Sequence, residues 1–95
     1  EKVYPRVVEE VLRGHPGVAE AAVVGVADPV LGEVPVAFVV PRDGTPADLA
    51  TQLLQLCERE LSRHQRPARI HLADSLPFTP TGKVRRDALR ELATS

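Results

Sequence analysis

The sequence has 95 residues and a formal net charge of −1, with 43% hydrophobic and 26% charged residues. This composition is that of one small globular domain with a modest core. Its three aromatic side chains are too few for nucleic-acid recognition by base stacking. Its single cysteine excludes an internal disulfide and a cysteine-based zinc site, and no metal site is predicted.

The N-terminus carries no signal-peptide pattern and no apolar run is long enough to span a bilayer, so we expect a cytoplasmic protein. The sequence begins at Glu1 and contains no methionine, so we expect it to be part of a longer chain. Residues 1–58 hold four basic against nine acidic side chains, and residues 59–95 hold eight against four. The basic half suits phosphate groups or an acidic docking surface, although a solvated arginine face fits equally well.

The first predicted element is a helix over residues 5–14. Pro5 suits the first helical position, and Glu9 is expected on the solvent side. Gly14 ends the helix, which leaves His15 as a surface residue at the helix end. The apolar face of this helix is expected to contain Val7, Val8, Val11 and Leu12.

Two valine-rich strands follow, over residues 18–27 and 34–40. The connection over residues 28–33 is short enough for an antiparallel pair. The second strand is apolar on both faces and is therefore predicted to be central. Asp28 and Glu33 are interpreted as solvated loop residues rather than a carboxylate pair.

A second helix is predicted over residues 46–62, with Thr45 as its cap and Pro46 at its first position. Cys57 falls in the apolar pattern of this helix, so we interpret it as a core residue.

A third strand over 68–73, with Ile70 and Leu72 facing inward, and a final helix over 86–93 complete the chain. The predicted fold class is α+β: a small domain in which helices pack on a three-stranded sheet.

The segment between the third strand and the last helix carries the strongest functional signal. Pro77 and Pro80 fix φ and remove backbone donors, and Gly82 permits a conformation that other residues resist. We therefore expect a stiff, exposed loop that presents the ammonium group of Lys83, although loops of this composition are also common as surface connectors. The hydroxyl groups that flank the lysine are those of Thr79 and Thr81.

Two nucleotide- or cofactor-related motifs are present only in part. A phosphate-binding P-loop would need glycine at Pro77 and a hydroxyl residue at Val84. The triplet around Ser75 matches the phosphopantetheine attachment site of carrier domains, but the prolines that follow forbid the long helix that this serine would open. A carrier protein remains a distinct alternative, recognisable by the mass of a phosphopantetheine group on Ser75.

Taken together, four blocks of the sequence resemble the C-terminal domain of the adenylate-forming enzymes, which include acyl-CoA synthetases, peptide-synthetase adenylation domains and luciferases. The most specific block is Leu76-Pro77-x-Thr79-x-x-Gly82-Lys83-Val84-x-Arg86-x-x-Leu89. The other blocks begin at Tyr4-Pro5, at His15-Pro16 and at Asp28, and the resemblance covers nearly the whole chain.

The resemblance implies that residues 1–95 are the mobile C-terminal lid of an acyl-adenylate-forming ligase whose N-terminal core, with the ATP, Mg²⁺ and acyl sites, precedes this sequence. Such enzymes join a carboxylic acid to ATP, and a thiol of coenzyme A or of carrier phosphopantetheine then displaces AMP. By resemblance, Lys83 is the catalytic lysine of the first step, and the loop residues Pro77, Thr79, Thr81 and Gly82 present it. The fragment alone is expected to be inactive.

The implied partners are the enzyme's own N-terminal core, a carboxylic acid such as a fatty acid, coenzyme A or an acyl carrier protein, and a lysine acetyltransferase and deacetylase acting on Lys83. Besides the carrier protein, two alternatives stay open: an adenylation domain or acyl-AMP ligase that loads a carrier protein, and a non-catalytic stand-alone binding module. The sequence departs from the family pattern at Val7, where glutamate is usual, and at His64 and Gln65, where an aromatic residue and a lysine are usual.

Overall fold

The computed structural model describes residues 2–94 and contains three helices, a 3₁₀ turn and one three-stranded sheet. The α+β fold class predicted from the sequence is confirmed. The elements in chain order are α1 (Pro5–Arg13), β1 (Val18–Asp28), β2 (Gly32–Pro41), α2 (Leu49–Glu60), the 3₁₀ turn (Arg63–Gln65), β3 (Arg69–Leu72) and α3 (Arg86–Thr94).

The sheet has the strand order β1-β2-β3, so the apolar strand β2 is central, as predicted. Strands β1 and β2 are antiparallel, with Val24 opposite Val36, whereas β3 runs parallel to β2. The predicted loop over 28–33 is too long, because both strands extend into it and leave a turn of residues 29–31.

This turn is tight because its first carboxylate binds the backbone. Asp28 Oδ1 accepts the N–H groups of Val30 (2.9 Å) and Leu31 (2.8 Å), and these hydrogen bonds lower the pKa of Asp28. The carboxylate of Asp28 is open to solvent, as expected, and in addition it fixes the backbone of the turn.

Alternating side chains of β1 and β2 divide the core into two apolar layers, one on each face of the sheet. Helices α1 and α2 cover the first layer, and α3 covers the second. Cys57 is buried in the first layer, which confirms its interpretation as a core residue, and desolvation raises the pKa of its thiol to about 11. Residues from the sheet that face α3 are Ala22, Val24, Val26, Val36 and Phe38.

Helix α1 is rotated from its predicted orientation. Val8 and Leu12 are fully buried, but Val7 is half-exposed and Glu9 is only 3% exposed. The prediction that placed Glu9 in solvent is wrong, because this carboxylate lies against the outer edge of β1, where backbone groups need hydrogen-bond partners.

Two further expectations fail at chain connections. Thr45 does not cap α2: the helix begins at Leu49, and the Thr45 hydroxyl instead donates to the carbonyl groups of Arg42 and Gly17. Leu72 lies on the same face of β3 as Ile70, but it is 46% exposed and only Ile70 packs against the first layer, so the expected burial of Leu72 is not found.

His15 links two helices rather than standing free at a helix end. Its Nδ1 accepts the Gly17 N–H at 2.9 Å, so Nε2 carries the proton and donates to Gln52 Oε1 of α2, also at 2.9 Å. The ring is half-buried and joins the chain after α1 to the helix that packs beside α1.

Candidate functional site

Residues 77–84 form a small β-hairpin, which we call the lysine hairpin. Phe78 and Val84 pair as an antiparallel bridge. The Thr79 N–H donates to the Lys83 carbonyl at 2.7 Å, and the Arg85 N–H donates to the Pro77 carbonyl at 2.9 Å just outside the bridge. The segment predicted as a stiff loop is therefore held by its own backbone hydrogen bonds.

The sequence of the hairpin matches the requirements of its turn. The Gly82 N–H donates to the Thr79 carbonyl at 2.9 Å, which closes a four-residue turn with Pro80 at its second position. Gly82 has φ +85°, a left-handed conformation that is unfavourable for residues with a Cβ. A turn followed by a left-handed glycine is a common way to close a three-residue hairpin.

The two threonines that flank the lysine stabilise the turn from their side chains. Thr79 Oγ1 accepts the Lys83 N–H at 3.1 Å and lies 3.0 Å from Thr81 Oγ1. Both hydroxyl groups are therefore engaged in fixing the backbone that carries Lys83.

Lys83 itself is exposed, and its ammonium group has no hydrogen-bond or ion-pair partner among residues 2–94. The base of the hairpin is anchored, because Leu76 is buried and Val84 packs against the layer beneath α3. The arrangement thus joins a fixed base to a free positive charge, which can approach an anion without first breaking an interaction.

A polar cluster ties the start of α3 to the outer edge of the sheet. Glu9 Oε2 accepts the Val23 N–H at 2.8 Å and Nη1 of Arg86 at 2.9 Å, and the same Nη1 donates to the Val23 carbonyl at 2.6 Å. Both outward backbone groups of Val23 are therefore satisfied by one ion pair. We call Glu9, Val23 and Arg86 the edge cluster; sequence reasoning missed Glu9, although Arg86 was part of the quoted motif.

The N-terminal segment is held by two side chains from distant parts of the chain. The Val3 N–H donates to Glu33 Oε1 at 2.8 Å, and the Tyr4 N–H donates to Gln65 Oε1 at 2.9 Å. Gln65 is buried and its Nε2 also donates to the Lys2 carbonyl at 2.9 Å. Glu33 is therefore not a solvated loop residue, and Gln65 clamps the chain where it enters the domain.

The geometry does not support a phosphopantetheine attachment site at Ser75. Ser75 does not open a helix, because residues 73–77 belong to neither helix nor strand. Within residues 2–94 no group of three or more His, Cys, Asp or Glu side chains could hold a metal ion, and no helix is long and apolar enough to cross a membrane.

Comparison with known proteins gives the family. The sequence profile described as "AMP-binding enzyme C-terminal domain" matches residues 7–83, so that Lys83 is the last matched residue. The chain belongs to this family. The fold is therefore that of an AMP-binding enzyme C-terminal domain, and the resemblance noted from the sequence motifs is confirmed.

The similar proteins are enzymes named as ligases or synthetases. The chain is 45% identical over 92 residues to the indoleacetate–CoA ligase of Aromatoleum aromaticum, covering 97% of this chain and 18% of that protein. It is 47% identical over 94 residues to the fatty acid–[acyl-carrier-protein] ligase ScoC of Streptomyces coeruleorubidus, covering 96% and 17%. The solved structure of the amide bond synthetase McbA from Marinactinospora thermotolerans superposes with a TM-score of 0.87 at 42% identity, covering 95% and 18%.

The chain spans less than a fifth of the length of these relatives. The domain's fold and family are therefore established, whereas the reaction and substrates of a longer protein are matters for proposal.

Proposed function

We propose that this domain is the mobile C-terminal lid of an ATP-dependent acid–thiol ligase and that Lys83 supplies the positive charge for acyl-adenylate formation. The single observation that carries the proposal is the geometry of the lysine hairpin. An ordered turn presents one unpartnered ammonium group in a family whose members include ligases for CoA and for acyl carrier protein.

The chemistry of the first step requires such a charge. A carboxylate oxygen of the acid attacks the α-phosphorus of ATP, and the bond from this phosphorus to the oxygen that bridges it to the β-phosphate breaks. Pyrophosphate is the leaving group, and acyl-AMP is retained for the second step. Because both reactants are anionic, an ammonium group between them offsets their repulsion and stabilises charge in the transition state. A preorganised donor is most effective here because it needs no reorientation during the reaction, and the hydrogen-bonded hairpin restricts the backbone of Lys83.

We propose that the nucleotide and the metal bind to another part of a longer protein. The described residues lack a cluster of metal ligands. We therefore propose that Mg²⁺, ATP and the acid bind mainly to an N-terminal core domain, and that Lys83 reaches them when the lid closes. The clamped N-terminal segment is consistent with a rigid lid that rotates about a hinge located before Lys2.

The second step uses a thiol, which attacks the acyl carbon and releases AMP. We propose coenzyme A as the acceptor, and the first of the relatives described above carries CoA in its name. A carrier-protein phosphopantetheine is the second candidate, because the Streptomyces relative is an acyl-carrier-protein ligase that is 47% identical to this chain. That relative is named as a fatty acid ligase, so we propose fatty acid metabolism as the setting. We propose the cytoplasm as its compartment.

Reversible acetylation of Lys83 is part of the proposal. The ammonium group is exposed on an ordered hairpin where an acetyltransferase can reach it. Acetylation removes the charge that adenylation needs. Treatment of the longer protein with an acetyltransferase and acetyl-CoA should modify Lys83 and abolish adenylation, and a deacetylase should restore it. Full adenylation activity in protein acetylated at Lys83 would contradict this part of the proposal.

The direct test of the proposed function is Lys83→Ala in the longer protein, with Lys2→Ala as the matched control because these are the only two lysines in the sequence. Removing one preorganised charged donor should slow adenylation by about 10²–10³-fold, or about 3–4 kcal/mol. Lys2→Ala should leave both half-reactions unchanged, since Lys2 contacts Gln65 through its backbone carbonyl, which the substitution retains.

The two half-reactions separate the proposed role from a general defect. The thiol step, started from supplied acyl-adenylate, should proceed at nearly the wild-type rate in Lys83→Ala. Equal slowing of both steps would show that Lys83 is not specific to adenylation. Unchanged adenylation would make the hairpin a connector and leave a non-catalytic binding module as the better assignment.

A further inference from the structure

Glu9 is the unusual residue of α1, because a carboxylate is costly to bury unless it is paired and hydrogen-bonded. Its side chain is 4% exposed, and its partner Arg86 is 77 residues away in the sequence, with a side chain 40% exposed. Arg86 is also the first residue of α3 and lies three residues after Lys83. The ion pair therefore joins the first helix of the domain to the exit of the lysine hairpin.

The need to satisfy the backbone groups of the sheet edge does not by itself explain why Glu9 pairs with Arg86. Outward backbone groups of an edge strand need to be covered or satisfied. The neighbouring Ala21 carbonyl is satisfied by Arg13, whose Nη2 donates to it at 3.1 Å and lies 3.8 Å from Glu9 Oε1. Arg13 is on the same helix as Glu9, which shows that an arginine of α1 can satisfy a backbone carbonyl of this strand edge. Arg86, in contrast, connects the end of the hairpin to the same edge.

No hydrogen bond joins residues 77–84 directly to the sheet among the described contacts. On the side that enters the hairpin, the Ala73 N–H donates to the Val39 carbonyl at 2.9 Å. On the side that leaves it, Arg86 is the first residue that hydrogen-bonds to the sheet. The base of the hairpin is held by the apolar side chains of Leu76, Val84 and Leu89, which pack on the layer beneath α3. Apolar burial is non-directional and resists separation more than sliding or rotation. The bonds from Arg86 to Glu9 and to the Val23 carbonyl are directional and join the hairpin exit to the central part of β1.

The backbone of Arg86 is also hydrogen-bonded to the hairpin. The Arg86 N–H donates to the Val84 carbonyl at 3.1 Å, and the preceding Arg85 N–H closes the hairpin on the Pro77 carbonyl at 2.9 Å. The residue whose side chain is held by Glu9 therefore has its backbone bonded to the strand that carries Lys83.

We propose that Arg86, held by Glu9, is a positioning residue that fixes the lysine hairpin in the orientation needed for adenylation. The inference rests on the proposed function of Lys83. A misplacement of about 1 Å in a reacting constellation can cost about 10²-fold in rate. We therefore expect loss of the ion pair to lower kcat for adenylation by about 10–10²-fold, with smaller effects on the KM values and on the thiol step.

The kinetic test compares Arg86→Ala with Arg85→Ala in the longer protein. Arg85 is the matched control because its side chain, half-exposed, pairs only with the exposed Asp87 at 3.1 Å in the described contacts. Arg86→Ala should slow adenylation, and Arg85→Ala should not. The proposal is overturned if Arg86→Ala adenylates at the control rate or slows both half-reactions equally.

Added ethylguanidinium distinguishes positioning from stabilisation. This probe can enter the vacated site, because the Arg86 side chain is partly open to solvent. It replaces the charge beside Glu9 but is not attached to the hairpin. In Arg86→Ala it should therefore raise the melting temperature towards the wild-type value without restoring kcat. Recovery of both quantities together would show that the ion pair acts only through stability.

A structural readout keeps this test independent of Lys83 chemistry. In the 95-residue chain, residual dipolar couplings report the orientation and order of the lysine hairpin relative to β1 and β2. Arg86→Ala should reduce the hairpin couplings while those of the sheet are retained. Unchanged hairpin couplings would overturn the positioning role even if Lys83→Ala confirms the proposed function.

A milder variant serves if Arg86→Ala does not fold. Glu9→Gln keeps an oxygen acceptor for the Val23 N–H but removes the negative charge that holds the guanidinium group. It should lower adenylation more than the exposed neighbour variant Glu10→Gln. Equal adenylation rates in these two variants would also contradict the proposal.

Discussion

The stability of the 95-residue domain should depend strongly on Glu9 and weakly on Glu10. In the wild type, one oxygen of Glu9 accepts two hydrogen bonds, from the Val23 N–H and from Arg86 Nη1. Hydrogen bonds to a charged group contribute about 1.5–3 kcal/mol, against about 0.5–1.5 for neutral pairs. Glu9→Gln should therefore lose about 1 kcal/mol or more at each of the two bonds.

Two further effects act in opposite directions. The new amide NH₂ group lies in a buried site beside Arg13, another donor, whereas removing a buried charge relieves a desolvation cost. The partly exposed Arg86 recovers some hydration when its partner becomes neutral, which also limits the loss. We expect a net destabilisation of about 2 kcal/mol, which for a domain of this size lowers the melting temperature by about 8–16 °C.

The measurement is thermal unfolding at pH 7, followed by circular dichroism, for wild type, Glu9→Gln and Glu10→Gln. Glu10 is exposed, so its variant should lie within about 0.5 kcal/mol of the wild type. Equal melting temperatures for the two variants would refute the reasoning, because they would show that the edge cluster contributes no more than an exposed carboxylate.

Three other predictions follow from the described contacts. A Cβ at Gly25 would lie 2.7 Å from Glu33 Cδ, so Gly25→Ala should push this carboxylate away and expose the Val3 N–H to faster hydrogen exchange; unchanged exchange would contradict the clamp. Burial raises the pKa of Cys57 to about 11, above the ordinary thiol value of about 8.5, so its contribution to stability should be complete below about pH 8.5 and be lost as the pH rises through 11. The measurement is the free energy of unfolding in urea, for wild type and Cys57→Ala, at several pH values across that range. If the two proteins lose stability in parallel as the pH rises, the prediction is contradicted. Finally, the purified 95-residue chain should release no acid-dependent pyrophosphate above a buffer control, because the nucleotide site is proposed to lie elsewhere.

The sequence predicted the sheet well because local patterns and topology agree there. A continuous apolar run identified β2 as central, and the short connection identified its antiparallel partner. The proline and glycine positions of the lysine hairpin also determine its shape locally, since Gly82 and the Thr79 hydroxyl act within four residues of Lys83.

The polar contacts that position the site were not predictable in the same way. Glu9 and Glu10 are chemically identical neighbours on one helix, and only the approach of β1 and of Arg86, 77 residues later, makes one of them buried. Gln65 likewise binds a segment more than 60 residues away, so no local pattern marks it. Long-range side-chain contacts of this kind require the three-dimensional arrangement of the elements.

The missed cap at Thr45 has a different cause. The pattern of threonine followed by proline is a legitimate helix-start signal. In the structure, the Thr45 hydroxyl donates to two carbonyl groups of the preceding turn and of the chain before β1, and the helix begins four residues later. The hydroxyl is thus used by the turn before the helix, chiefly through the Arg42 carbonyl three residues earlier, and not by the first turn of α2.

The central claim, that Lys83 acts through its ammonium group in adenylation alone, is tested most directly by chemical restoration. Lys83→Cys in the longer protein should adenylate about 10²–10³-fold more slowly than wild type, as expected for loss of one charged donor. Reaction with 2-bromoethylamine then rebuilds an ammonium side chain at this position. Cys57 should not interfere because it is buried and its thiol pKa is raised to about 11, and wild-type protein treated in parallel controls for other cysteines. Our account predicts that adenylation returns towards the wild-type rate while the thiol step stays constant throughout; an adenylation rate that does not recover on quantitative modification, or that never fell, would contradict it.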